Sequence, residues 1–240
     1  MGYLWHETRQ AFPLIFDGKS GIGGLLWVTV RVAVISTSVA LVIGLPLGLA
    51  LGLGRFRGRR ILQLLANASL ALPSVVVGVA VLMLLLPQAQ FGSLRWEFTI
   101  KGVYVAQTIL ALPFIVALTA AAIQGLPPGL IGQARALGAG RLQLSALALR
   151  EAKIGVLAAV IAAFGAAISE VGAVIIVGGN FEGRDQTLGS ALLAQFNYYG
   201  NVPAMIAIGI VLLAAILVLM GLLTVLQQRG GGIHLRFRTA

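Results

Sequence analysis

Long apolar stretches separated by short polar ones run along most of this chain. Five of them, approximately 25–53, 61–86, 102–123, 154–178 and 203–227, are long enough to cross a bilayer, which takes about 20 helical residues. The polar stretches between them alternate in charge. Arg55, Arg57, Arg59 and Arg60 follow the first apolar segment with no acid among them. Arg95, Glu97 and Lys101 mix signs after the second. A long basic stretch with Arg135, Arg141, Arg150 and Lys153 follows the third. Glu182, Arg184 and Asp185 follow the fourth, and Arg229, Arg236 and Arg238 close the chain. The Lys/Arg-rich side of a membrane protein is the cytoplasmic one. The pattern therefore predicts five spans with the N-terminus outside and the C-terminus inside.

Composition agrees with the pattern. Hydrophobic residues make up 59% of the 240 and charged residues 10%, more apolar than a soluble core accommodates. The net charge of +10 lies between apolar runs and not on one face, which excludes a nucleic-acid partner and makes the lipid bilayer the surroundings. Cysteine is absent, so there is no thiolate chemistry and no disulfide. Residues 1–24 hold His6, Glu7, Arg9, Asp17 and Lys19 and lack a continuous apolar core, so no cleaved leader is expected. Leu4, Trp5, Phe12, Leu14, Ile15 and Phe16 give this segment an amphipathic pattern suited to the outer interface, with a loose tail as the alternative.

Within the apolar segments several features point to a pathway. Gly44, Gly48 and Gly52 recur every four residues, a strip that lets helices approach closely, either inside the chain or at a dimer seam. Pro46, Pro73 and Pro113 each fall inside a span and free a backbone carbonyl that a neighbour or a cavity must satisfy. Ser36, Thr37, Ser38, Asn67, Ser69, Ser74, Gln107, Thr108 and Thr119 are candidates for a hydrophilic route or for hydroxyls bonded back to their own helix. Glu170 is the one carboxylate inside a span, and a membrane-embedded acid implies a role in proton coupling, gating or contact with substrate. Arg31 lies near the outer end of the first span, within reach of the interface. No metal cluster or catalytic triad is present, and His6 and His234 fall on opposite sides. Asp17-Gly18-Lys19-Ser20 ends like a phosphate loop, but Pro13 stands where that motif needs glycine. The chain is thus expected not to be an enzyme and to hold no cofactor of its own.

The stretch from about 124 to 153, QGLPPGLIGQARALGAGRLQLSALALREAK, is too long for a simple connection and helix-prone beyond Pro127-Pro128. With Leu137-Gly138-Ala139 at its centre it resembles the EAA signature loop of permease subunits of type I ATP-binding-cassette importers. The opening reads Gly132-Gln133-Ala134, and Glu151 stands where the family's later proline falls. Gly44-Leu45-Pro46-Leu47-Gly48, Leu72-Pro73-Ser74-Val75-Val76-Val77-Gly78 and Ala106-Gln107 through Leu112-Pro113 are similar to the oxyanion group of that family, which carries molybdate, tungstate or sulfate. Ser169-Glu170-Val171-Gly172-Ala173 followed by Gly178-Gly179-Asn180 resembles the tungstate-type branch.

That resemblance implies an all-α permease fold in a cell's inner membrane, with an extracytoplasmic segment over 1–24, a transmembrane domain over 25–228 and a basic cytoplasmic tail over 229–240. It implies a second permease chain forming a homodimer, two cytoplasmic ATPase subunits that bind ATP and magnesium, and an external substrate-binding protein. Ala134, Arg135, Leu137, Gly138, Ala139 and Arg141 are the expected ATPase-coupling residues, on a helix centred on Gly138. Ser38, Ser74, Gln107, Ser169, Glu170, Gly172 and Asn180 are the expected pathway or gate. The function expected is ATP-driven import of an oxyanion, tungstate or molybdate, by alternating access. The rival is a proton-coupled secondary transporter working through Glu170.

Overall fold

The computed structural model describes residues Gly2–Gly230, all helices and connections; the predicted basic tail beyond 230 and His234 lie outside the described residues. Eleven α-helices follow in order: α1 Gly2–Phe16, α2 Ile22–Leu53, α3 Arg59–Ala68, α4 Ser74–Leu85, α5 Ile100–Gln124, α6 Leu130–Ala136, α7 Arg141–Glu151, α8 Lys153–Ser169, α9 Gly172–Gly178, α10 Leu188–Ala194 and α11 Val202–Gly230. Three of them, α2, α5 and α11, are long and apolar enough to cross a membrane unaided. The number rises to five if the bent pairs α3–α4 and α7–α8 each count as one span.

Two predicted spans are therefore not single straight helices. The 61–86 segment turns by 103° between α3 and α4, at Leu72-Pro73. The cause is local: Pro73 donates no backbone hydrogen bond and restricts Leu72 to extended geometry, here φ −63° and ψ 128°. The 154–178 segment breaks at Glu170, whose backbone is extended at φ −74° and ψ 134°. Pro46 and Pro113, by contrast, lie within continuous helices.

The glycine strip packs inside the chain. A Cβ added at Gly44 would stand 2.9 Å from Ile115 Cγ2, one at Gly48 2.8 Å from Thr119 Cβ, and one at Gly52 2.8 Å from Ile123 Cβ. Residues 115, 119 and 123 repeat the same four-residue step, so an α5 ridge seats in an α2 groove that only glycine leaves open. The dimer-seam alternative for this strip is overturned. Around this pair Ala40, Ala111, Ile115 and Ala163 join α2, α5 and α8. Val77, Val81, Leu85, Ala106, Ala173 and Val177 join α4, α5 and α9.

The N-terminal segment is a helix, not a loose tail. Ala11 is fully buried with Ile22, Leu188, Ala191, Ala207 and Ile208, which fastens α1 beside α10 and α11. Tyr3, Trp5, Phe12 and Phe16 point outward, the residue types favoured at a membrane–water boundary.

Candidate functional site: two broken spans around a polar cavity

The helix interruptions at Pro73 and Glu170 face each other. α4 is 12 residues long, about 18 Å, against a hydrocarbon core of about 30 Å. With one end at a membrane face, its other end stops inside the bilayer. Irregular backbone at that depth is tolerated where it is buried in protein or lines a cavity. Here it lines one: a space of about 190 Å³ walled by Ser69, Leu72, Ser74, Gln107, Ser169 and Glu170, with Phe114 and Ala167 among the apolar neighbours. The two breaks are also in contact. A Cβ at Gly172 would lie 2.8 Å from Val75 Cγ2 and 3.1 Å from Ser74 Oγ, so glycine is what lets the starts of α4 and α9 meet.

Each polar group in the cavity has a definable state. Pro73 has no side-chain acceptor; the Val76 N–H donates to Pro73 O at 3.0 Å, while the Ser74 and Val75 N–H groups have no acceptor among the described residues, which leaves the positive end of that helix open. Ser74 Oγ makes no hydrogen bond among the described residues, whereas Ser69 Oγ donates to Leu65 O at 2.7 Å. Ser169 Oγ donates to Gly165 O at 3.0 Å, so its hydrogen is committed to its own helix. Gln107 is 1% exposed, and neither its amide nitrogen nor its amide oxygen has a partner. A buried, unpaired amide costs on the order of 1–3 kcal/mol, and the cavity that Gln107 lines has room for a partner.

Glu170 does not sit in mid-helix as a free charge. Its Oε1 accepts the Val171 N–H at 2.9 Å and the Ala173 N–H at 3.2 Å, so the carboxylate caps the start of α9. The helix end compensates the negative charge where it stands. The cavity's donors are thus the Gln107 amide, the Ser74 hydroxyl and the open end of α4. Such a set suits oxygen-rich anions, and half-helix N-termini serve that purpose in other transporters.

Of the predicted pathway residues, the structure brings together Ser74, Gln107, Ser169, Glu170 and Gly172. It does not bring in Ser38, which is exposed on the outer surface of α2, or Asn180. Asn180 sits in the loop after α9 with φ +59°, its Nδ2 donating to Ser190 O at 3.5 Å. That loop is organised by Asp185, a feature the sequence reading missed. The Asp185 side chain is fully buried, and its Oδ1 accepts the Phe181 N–H at 3.1 Å and the Arg184 guanidinium at 3.4 Å. Burial pushes its pKa up, against the pull of those donors. Thr108 is likewise a back-bonded hydroxyl, to Tyr104 O at 2.7 Å.

At the opposite, basic end, the expected helix centred on Gly138 is a helical hairpin with Gly138 in its turn. Ala139 N–H donates to Ala134 O and Gly138 N–H to Arg135 O, both at 3.0 Å, the Schellman closure of a helix C-terminus. Gly138 has φ +87°, a conformation that favours glycine, and a Cβ there would meet nothing within 4 Å. Glycine is needed here for the turn rather than for close approach. The groups projecting from the tip are leucines: Leu137 is 89% exposed and Leu142 84%. Arg135 and Arg141 line the groove between the hairpin and α2.

Broken spans around a polar cavity, with a helical hairpin at the basic end, define a transport permease. Residues 44–230 match the family described as binding-protein-dependent transport system inner membrane component, and the chain belongs to that family. Its relatives include a probable anion ABC transporter permease protein of Haloferax volcanii, 38% identical over 68% of this chain and 72% of the relative. The tungstate uptake system permease protein TupB of Peptoclostridium acidaminophilum is 30% identical over 89% and 93%. The sulfate transport system permease protein CysT of Salmonella typhimurium is 32% identical over 74% and 66%. The fold matches a chain of the MetNI methionine ABC transporter, solved in inward-facing conformations, with TM-score 0.72 over 87% of this chain and 95% of that one at 21% identity.

Proposed function

We propose that this chain is the permease of an ATP-driven importer that carries a tetrahedral oxyanion, tungstate or molybdate, into the cytoplasm by alternating access. The observation that carries the reading is the near end-to-end similarity to a tungstate uptake permease. The cavity chemistry is consistent with it. A dianion passing the breaks meets Gln107, Ser74 and the start of α4, neutral donors that hold without trapping. Glu170, whose charge is spent on capping α9, keeps the second break in shape. Ser169 and Gly172 let the two breaks pack. Ser38 and Asn180 stand away from this cavity and take no part in this step.

Two copies of the chain, two ATPase subunits and an external binding protein make up the working assembly. ATP and magnesium sit on the ATPases. The N-terminus faces outside and the basic loops face the cytoplasm. The hairpin over about 124–153 couples the two functions: the ATPase grips the tip at Leu137, Gly138 and Ala139 together with Leu142. Ala134 closes the turn, and Arg135 and Arg141 flank it. Movement of the hairpin is transmitted through α7 and α8 to the break at Glu170.

The test is tungstate uptake into proteoliposomes holding permease, ATPase and binding protein, with and without a protonophore. ATP-dependent, protonophore-resistant uptake that survives Glu170→Gln at reduced rate supports the proposal. Uptake that needs no ATPase, collapses with the proton gradient and is abolished by Glu170→Gln establishes the proton-coupled rival. The two backbone N–H groups already bound to Glu170 speak against that rival.

A further inference from the structure

A second cavity, of about 660 Å³, opens where the C-terminal end of α2 meets the hairpin. Its floor is apolar: Leu49 and Leu53 from α2, with Phe56 from the turn that follows. Its rim is Arg55, from the turn after α2, with Arg135 and Arg141 from the two arms of the hairpin. No acidic residue lines it, and among the described residues none of these arginines has an ion-pair partner. Arg59 shows the contrast, because its guanidinium is spent on the α2 carbonyls Leu51 O at 2.7 Å and Gly52 O at 3.3 Å. The groove thus presents unspent positive charge over a bare apolar trough.

The shape separates the possible occupants. From Pro46 to Leu53 the apolar wall follows α2 for about 10 Å, along a helix that itself crosses the bilayer. A soluble partner touching the hairpin tip reaches the rim but not that depth. A free anion satisfies the arginines and leaves the trough empty. An anionic phospholipid carries both parts: a phosphate for the guanidinium forks and an acyl chain for the trough. We propose that this groove binds an anionic phospholipid of the cytoplasmic leaflet, which ties the coupling hairpin to α2. The leaflet assignment rests on the topology given under Proposed function; the charge and shape argument does not.

The test uses the intact purified permease in neutral detergent, equilibrated with equal amounts of phosphatidylglycerol and phosphatidylcholine, with bound lipid counted by native mass spectrometry. The wild-type chain retains phosphatidylglycerol preferentially. Each arginine replaced by glutamine lowers that preference about fivefold, and Arg55→Gln/Arg135→Gln/Arg141→Gln lowers it on the order of a hundredfold. The matching triple lysine variant keeps the charge and most of the preference. If the glutamine variant does not fold, wild type and the lysine variant are compared at low and high salt, where screening lowers the preference.

Several results overturn the proposal: no preference in the wild type, a preference indifferent to both charge and salt, or release of the lipid when the ATPase is added. The last would make the groove the ATPase's seat. The topology is read separately, by labelling a cysteine placed at Arg57 with a membrane-impermeant reagent. Labelling from outside with the lipid preference intact refutes the orientation and upholds the lipid site.

Discussion

Gly48→Ala isolates the packing that holds α2 to α5. The added methyl would stand 2.8 Å from Thr119 Cβ, 3.0 Å from Thr119 Cγ2 and 3.1 Å from the Val116 carbonyl oxygen. Neither Cβ nor backbone can rotate away, so the helices must separate. Overpacking of this kind costs about 1–3 kcal/mol. Against it stands the helix preference for alanine over glycine, at most about 1 kcal/mol. The proper control is Gly221→Ala in α11, where a Cβ meets nothing within 4 Å and only the favourable contribution remains. The gap between the two variants is about 2 kcal/mol, or roughly 4–8 °C in melting temperature for a chain of this size. Thermal unfolding of both in one detergent reads it directly. A Gly48→Ala protein melting at or above Gly221→Ala would refute the groove-and-ridge account.

Three further outcomes are expected. Leu137→Ala leaves insertion and melting unchanged but weakens ATPase association by about 10–100-fold, because a leucine buried at an interface contributes about 1.5–3 kcal/mol; unchanged association in a pull-down titration counts against the hairpin tip. Gln107→Leu removes an unpaired buried amide, so melting temperature holds or rises by the equivalent of about 1–3 kcal/mol while anion uptake falls; a variant that loses stability and transport together would make Gln107 a structural residue. Asp185 binds its proton more tightly folded than unfolded, so its contribution to stability declines as pH rises from its ordinary value of 3.8 through the raised one, then levels off. Asp185→Asn keeps an acceptor for the Phe181 N–H and loses that dependence, which parallel melting curves across this window will show.

Much of the fold was legible because bilayer crossing depends on length and apolarity, which α2, α5 and α11 display without interruption. The breaks were half visible. Pro73 announced one, but Pro46 and Pro113 carry the same signal and sit in continuous helix, since neighbouring helices decide what a proline does. The break at Glu170 carries no proline at all. An acid followed by Val-Gly-Ala reads equally as a buried charge within a helix or as a cap at the start of a new one. Which of the two holds depends on the Val171 and Ala173 N–H groups being free. Gly138 was located by its motif, but its physical reason, a left-handed turn, lies in backbone geometry. The buried Asp185 was hidden among loop charges, because sequence alone does not separate a solvated aspartate from one that folds a loop around itself.

In the proposed transport cycle the anion passes through the cavity between the two breaks. The chain has no cysteine, so Ser74→Cys gives a single reactive site there. In the assembled transporter, labelling of Ser74→Cys by a small thiosulfonate reagent should change between nucleotide-free and ATP-trapped states, and bound tungstate should slow it. Labelling of Ser38→Cys, exposed on α2 away from this cavity, should depend on neither nucleotide nor tungstate. Labelling of Ser74→Cys that ignores both nucleotide and tungstate while uptake proceeds would contradict that route.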